Sequence, residues 1–367
     1  MESENGLNLS LPISELFADF RNRFDPVLWK FLDREKITVS QHGTDAVASI
    51  EILWKFLEQG GKRLRPLLAC AGYMSVGGSD LDRALKLGVG LELLHTFALI
   101  HDDLMDCSDL RRGEPTMHRW VEARHHIEQQ RGSSEHYGVA MAIVLGDLAL
   151  MFADDAMNRV AEADPEKHRA MMTLYHTLKI ELVNGQILDM RMASSPIQTS
   201  REDVLRVMRY KTGKYTVERP LHLGAMLAGA SPELLNTLSE IAIPMGVAFQ
   251  LQDDLLGVFG DPETVGKSVD SDLREGKVTL LVIETLKEAS ANQRTRFLSA
   301  FGSREANSEE LMALRAIIEK TGARNTVEKE IIHLLSEAES FIRSATFPQA
   351  SKEFFLNLNQ FLRDRTA

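Results

Sequence analysis

Apolar residues recur at helical spacing along almost the whole chain, and the alternating pattern of half-buried strands is hard to find. The run Leu81, Ala84, Leu85, Gly88, Val89, Leu91 and Leu94 is representative. Stripes of this period must be buried against other packed elements, so the expected fold class is all-α. Long helices are expected near 46–58, 63–75, 81–105, 139–162, 166–189, 202–228, 233–257 and 278–289, followed by a helical group from about 308 onward. Arg124 to Gly138 and Ser194 to Ser200 read as loops or insertions, neither long nor biased enough for an interdomain linker. One helical domain over residues 13–367 is expected, preceded by a mobile N-terminus of residues 1–12.

Bulk properties narrow the function. With 44% hydrophobic and 26% charged residues, the chain has the balance of a soluble globular protein. Its net charge of −11 argues against nucleic acid as the main partner, which would need a clustered basic surface. The N-terminus lacks a basic start and apolar run, and no uninterrupted apolar stretch approaches the roughly 20 residues of a membrane span, so the expected location is cytoplasmic. Cys70 and Cys107 stand far apart and read as reduced thiols. His125, His126 and His136 lack metal-ligand spacing and read as a surface loop.

Two acidic clusters carry the chemical signal. His101-Asp102-Asp103-Leu104-Met105-Asp106 ends an apolar helical run. Asp102 and Asp106 are i and i+4 on that helix and share a face, about 6 Å apart along the axis. Carboxylates so placed repel each other unless a cation lies between them. Phe249-Gln250-Leu251-Gln252-Asp253-Asp254 likewise ends the apolar run from Ile241. One such cluster is commonplace as a charged helix end, but two that each end an apolar helix suggest opposed walls of one cavity. Hard oxygen donors without thiolates favour Mg²⁺, which keeps several waters and binds substrate phosphates.

Carboxylates reach a diphosphate only through cations, and basic side chains must cover the remaining oxygens. Short glycine-flanked groups supply them: Gly60-Gly61-Lys62-Arg63-Leu64-Arg65-Pro66, Arg111-Arg112-Gly113, Lys211-Thr212-Gly213-Lys214, Gly266-Lys267 and Gly276-Lys277. Each alone is an ordinary solvated turn. In this order, and interleaved with HDDLMD and FQLQDD, they closely resemble the trans-isoprenyl diphosphate synthases, farnesyl and geranylgeranyl diphosphate synthases among them. The resemblance spans about residues 60 to 280.

That resemblance implies a bundle of the isoprenoid synthase type with a central active-site cavity. It implies that Lys62, Arg65 and His95 hold isopentenyl diphosphate, with Arg112 assisting. It further implies that Asp102, Asp106 and Asp253 ligate three Mg²⁺ around an allylic diphosphate, which Arg111, Lys211, Lys267 and Lys277 also contact. Thr212 and Gln250 would face the reacting allyl group, and Gln186 and Asp189 would line the cavity. One departure stands out: the family's second motif commonly has a third aspartate where this chain has Gly257, which puts metal affinity at that wall in question. Phe97 and Ala98, five and four positions before Asp102, resemble the chain-length floor of geranylgeranyl-type enzymes, though Phe97 also suits ordinary core packing. The family usually forms homodimers. Two competing readings are a class I terpene cyclase, which would have no use for the isopentenyl-binding set, and a non-catalytic partner subunit, which would be expected to lose site residues.

Overall fold

The computed structural model describes residues 7–160, 164–260 and 271–365. It is almost wholly helical, as the pattern requires, and it divides into two compact units. The first comprises residues up to Met172 together with Leu223–Gly229; the second comprises Thr173–His222 and the chain from Ala230 onward.

The first unit holds α1 (Ile13–Ser40), α2 (Thr44–Glu58), α3 (Leu64–Ser75), α4 (Leu81–Met105), α5 (Met117–Ile127), α6 (Ser134–Val160) and the start of α7 (Pro165–Ser194). Its central element is α4, which packs against α1, α3, α5 and α6. Asp80 starts α4 by accepting a hydrogen bond from the backbone N–H of Arg83 at 3.2 Å. From Leu87 to Leu94 every residue of α4 is buried, as expected of a helix apolar on all sides. The α4 boundaries agree with the sequence expectation. Helix α1 was not among the expected elements, although Leu16, Phe20, Phe24, Leu28 and Leu32 recur every four residues and are all buried. Each such side chain contributes about 1.5–3 kcal/mol when fully buried.

Three expectations change here. Residues 1–6 of the stretch expected to be mobile lie outside the described residues, but Leu7 and Leu9 are buried at 3% and 1% exposure, so the following segment is anchored. The expected polar loop from Arg124 to Gly138 shrinks, because α5 runs on to Ile127 and α6 begins at Ser134. His125 is buried on α5, where its Nδ1 lies 3.0 Å from the Ser134 hydroxyl, and is not part of a surface loop.

A small hairpin interrupts the helices: β1 (Leu110–Arg111) pairs antiparallel with β2 (Glu114–Pro115). The two residues between them, Arg112 and Gly113, both have positive φ, at 57° and 81°. That is the backbone a tight two-residue hairpin demands.

The second unit contains the remainder of α7, α8 (Arg201–Met208), a π-helical segment (Arg209–Glu218), the start of α9 (Arg219–Leu227), α10 (Pro232–Phe259), α11 (Ser271–Glu275), α12 (Leu280–Glu288), α13 (Ala291–Ala300), α14 (Ser308–Lys320), α15 (Ala323–Ser344) and α16 (Gln349–Asp364). Ser231 caps α10 and Pro232 begins it, the residue types that suit those positions. The π-helical segment and α15 pack against α10. A single expected helix over 202–228 is thus three consecutive pieces, with the wider π turns placed on the Lys211-Thr212 motif.

Among the described residues three helices, α4, α6 and α10, are by length and composition long and apolar enough to cross a membrane, although the sequence holds no uninterrupted apolar run of that length. In α4, 67% of the most apolar window is buried inside the protein, against 39% in α6. Burial accounts for the apolar character of α4, and α6 keeps an uncovered apolar face.

Candidate active site

The candidate residues of the first unit surround the C-terminal half of α4. Gly60-Gly61-Lys62-Arg63 forms the turn into α3, with Gly60 and Arg63 at φ of 77° and 50°. Lys62 is exposed and Arg65 lies half-buried in the first turn of α3. A Cβ at Gly61 would come within 3.1 Å of Arg112 Nη2. The Arg112 guanidinium therefore lies against the backbone of the glycine-rich turn, although 51 residues separate the two positions in sequence.

His95, two turns before Asp102, completes this basic group. Its imidazole is held well below its usual range, first by loss of water and then by the charges of Arg65, Arg111, Arg112 and Arg63. The ring is neutral at pH 7. Burial and the nearby Arg111 also pull the pKa of Arg112 down. Arg63 and Arg111 have carboxylate partners in Glu92 and Asp103, and the cations gathered here around a neutral imidazole are the kind of donors that a phosphate group requires. The structure thus brings Arg65, His95 and Arg112 together, with Lys62 on the same turn.

The three aspartates of the first cluster divide by face. Asp103 is buried at 1% exposure and accepts from Arg111, whose Nε lies 2.9 Å from both carboxylate oxygens and whose Nη2 lies 2.6 Å from one. Although burial opposes its charge, Arg111 is stabilised as a cation by Asp103 and further by Asp102 and Asp106. Asp102 is half-buried and Asp106 exposed. Those two keep carboxylates directed away from the core, whereas Asp103 positions Arg111. Phe97 is half-buried and meets His101 edge-on at 4.8 Å between ring centroids, and Ala98 is half-buried beside it.

In the second unit the candidates form a connected polar chain. Lys211 donates to Asp189 at 2.8 Å. The Thr212 hydroxyl donates to Gln250 Oε1 at 2.6 Å, and Gln250 Nε2 donates to Asp254 Oδ1 at 2.9 Å. Lys277 Nζ donates to the same Asp254 oxygen at 3.0 Å and lies 3.6 Å from Asp272. Burial pushes Asp254 up to about 6 against the opposing pull of Lys277. Lys277 is raised well above its usual range despite the burial that opposes its charge, because Asp254, Asp272 and Asp189 surround it. Asp253, on the next position of α10, is half-buried and ion-paired with Arg365 at 2.7 Å.

Sequence reasoning missed several of these partners. Asp103, Asp254, Asp272 and Arg365 each hold a candidate residue in place. Asp189, expected to line the cavity, is the counter-ion of Lys211. Gln186 is half-buried three residues before it on α7. At Gly257 a Cβ would come within 2.5 Å of Asp272 Oδ2, so the Asp272 carboxylate lies where a side chain at position 257 would begin. Lys267 lies outside the described residues, as does Gly266.

The donor set suits magnesium. Asp102, Asp106 and Asp253 offer hard carboxylate oxygens, and among the described residues no three His, Cys, Asp or Glu side chains are grouped to enclose a metal ion by themselves. Mg²⁺ needs no such enclosure, since it is commonly held by one or two carboxylates plus substrate phosphates and water.

Known proteins resemble the chain over most of its length. The polyprenyl synthetase family model matches residues 48–318. A short chain isoprenyl diphosphate synthase of Methanocaldococcus jannaschii is 35% identical over 252 residues, which is 69% of this chain and 70% of that protein. A geranylgeranyl diphosphate synthase of Saccharolobus solfataricus is 34% identical over 264 residues, 71% of this chain and 73% of that one. Among solved structures, geranylgeranyl pyrophosphate synthase from Corynebacterium glutamicum, complexed with isoprenyl diphosphate and magnesium, superposes with a TM-score of 0.88 at 34% identity, covering 98% of this chain and all of that one.

Proposed function

The chain belongs to the polyprenyl synthetase family, and from that premise we propose that it is a Mg²⁺-dependent trans-prenyltransferase that condenses isopentenyl diphosphate with allylic diphosphates, with geranylgeranyl diphosphate as its main product. The observation that carries the elongating activity is the basic group of Lys62, Arg65, His95 and Arg112. Two of its members, Arg65 and Arg112, act together on a third, the neutral imidazole of His95. A cyclase acting on one allylic diphosphate has no need of this second anion site.

In this reading Lys62, Arg65 and Arg112 bind the diphosphate of isopentenyl diphosphate, and neutral His95 donates a hydrogen bond to it. Asp102, Asp106 and Asp253 hold Mg²⁺, three ions per active site. When bound, Mg²⁺ neutralises the charge that develops on the departing diphosphate. Arg111, Lys211 and Lys277 add positive charge at the same group, and because each is held by a carboxylate before the carbon–oxygen bond breaks the barrier falls; Lys267 is assigned to that group by the family resemblance alone. Asp103, Asp189 and Asp254 supply that orientation for Arg111, Lys211 and Lys277. The hydrogen-bonded pair Thr212 and Gln250 turns oxygen dipoles toward the allylic cation, and apolar walls keep water from quenching it. The isopentenyl double bond then attacks the cation, and the proton lost passes to the released diphosphate. No separate histidine base is needed.

The geranylgeranyl assignment rests on Phe97 as a floor with small Ala98 beside it. We further propose a homodimer of a cytoplasmic enzyme. Ile143, Val144 and Met151 leave α6 with 45%, 60% and 65% of their surface exposed, an apolar face suited to a second copy.

The deciding experiment incubates the purified protein with labelled isopentenyl diphosphate, Mg²⁺ and dimethylallyl, geranyl or farnesyl diphosphate in parallel. Label in a twenty-carbon product is expected from each starter and should vanish with chelator. Absence of label from any lengthened product would reject elongation.

A further inference from the structure

We infer that Arg63, the one cation of the Gly60–Pro66 motif not assigned to a ligand, is a positioning residue that clamps the glycine-rich turn to α4 and thereby sets the geometry of the isopentenyl diphosphate site. This inference rests on the function proposed above. Arg63 is 4% exposed, whereas Lys62 before it is exposed and Arg65 after it is half-buried. Its guanidinium reaches three elements at once. Nη1 donates to Glu92 of α4 at 2.6 Å, Nε donates to Asp25 of α1 at 3.0 Å, and Nη2 donates to the Leu57 carbonyl in the last turn of α2 at 3.2 Å.

The position of Glu92 gives the clamp its meaning. Glu92 lies three residues before His95, on the adjacent turn of the same helix, and is itself 6% exposed. Arg63 stands between Lys62 and Arg65 in the chain. One buried ion pair therefore connects the residues flanking Arg63 to the helix that carries His95. The backbone of Arg63 adds a second sign of constraint, since it is left-handed at φ of 50°. A non-glycine residue pays for that conformation. Glycine takes the left-handed conformation three positions earlier in the same turn, at Gly60, so an arginine in that conformation points to a task for the side chain. A guanidinium spreads its donors in a fixed planar fork that reaches three separate elements, whereas an ammonium donates all its bonds from a single atom.

Arg63→Lys and Glu92→Gln in the full-length protein test the assignment. Lysine keeps the charge beside Glu92 but loses the forked bridge, and glutamine keeps the shape of Glu92 while weakening the bond. For each variant, misplacing the basic group should raise KM for isopentenyl diphosphate about tenfold while KM for the allylic diphosphate stays within about twofold, given how steeply catalysis depends on placement. Amide hydrogen exchange over residues 58–65 should also speed up. Unchanged KM for isopentenyl diphosphate, or a parallel rise for both substrates, would overturn the clamp. A second measurement separates this from failure of the proposed function: inorganic pyrophosphate titrated into each protein by calorimetry with chelator present. If the wild type adds no isopentenyl units but binds pyrophosphate about tenfold more tightly than Arg63→Lys, the clamp stands and the elongation reading falls. Equal pyrophosphate affinity in both proteins would count against the clamp.

Discussion

Arg365 places its Nη2 2.7 Å from Oδ1 of Asp253, with the guanidinium 4.9 Å from the centre of the Phe249 ring. Arg365, just after α16, is thereby held on the second acidic cluster, and Gln252, whose amide donates to the Leu362 carbonyl, fastens the end of α16 beside it. A cation that uses Asp253 must compete with this arginine. The Asp253 side chain is 38% exposed, so the pair belongs with solvent-screened ones worth up to about 1 kcal/mol. Arg365→Gln should lower the Mg²⁺ concentration for half-maximal rate about two- to fivefold. A Mg²⁺ titration showing an equal or higher requirement would mean that the pair does not compete.

The first acidic cluster predicts two kinds of loss from chemically identical substitutions. Asp102→Asn removes a metal-facing carboxylate and should cut kcat by about 10²–10³ with little change in melting temperature. Asp103→Asn leaves the mostly buried Arg111 without its counter-ion and should destabilise the fold by about 3–5 kcal/mol. Thermal melts and initial rates on the two variants separate these roles. Similar melting curves for both would refute the division.

His95 makes stability depend on pH in a definite direction. Its folded pKa is depressed below the ordinary 6.5 by burial and by four arginines. Below pH 6.5 the unfolded chain therefore takes up a proton at this ring that the folded chain resists. Stability from this group is fully present above that pH and declines as pH falls through it. Melting temperatures at pH 7.5 and 5.5 should differ less in His95→Gln than in the wild type. An equal difference would show that His95 is not held neutral.

Phe97→Ala should lengthen the product beyond twenty carbons. The ring is braced edge-on by His101, and its removal opens the volume that the proposed floor occupies. Chromatography of the dephosphorylated products gives the answer. An unchanged distribution would return Phe97 to ordinary packing.

At position 257 even one methyl group should be costly. Gly257→Ala drives a Cβ to within 2.5 Å of Asp272 Oδ2, and Asp272 in turn helps to hold Lys277. Overpacking of this kind costs about 1–3 kcal/mol. A lower melting temperature should accompany a raised KM for the allylic diphosphate. If KM is unchanged, the contact between Asp272 and Lys277 does not matter to substrate.

The helical class, the boundaries of α4, and the pairing of Asp102 with Asp106 on one face were legible in the sequence. All three depend on periodicities only a few residues long. Helix α1 was legible in principle, through its apolar residues at every fourth position. The division of labour among the charged residues was not. Asp102 and Asp103 are neighbours of the same type, yet one offers its carboxylate outward and the other is buried around Arg111. Arg63 differs in the same way from Lys62, with one partner 29 residues away on α4. Asp253 finds Arg365 across 112 residues of chain. Helix and acidic-cluster spacing is written locally, because backbone geometry repeats within a turn. The partner of a charge is chosen by which distant segments the hydrophobic core brings within hydrogen-bonding distance, and only the tertiary structure decides that.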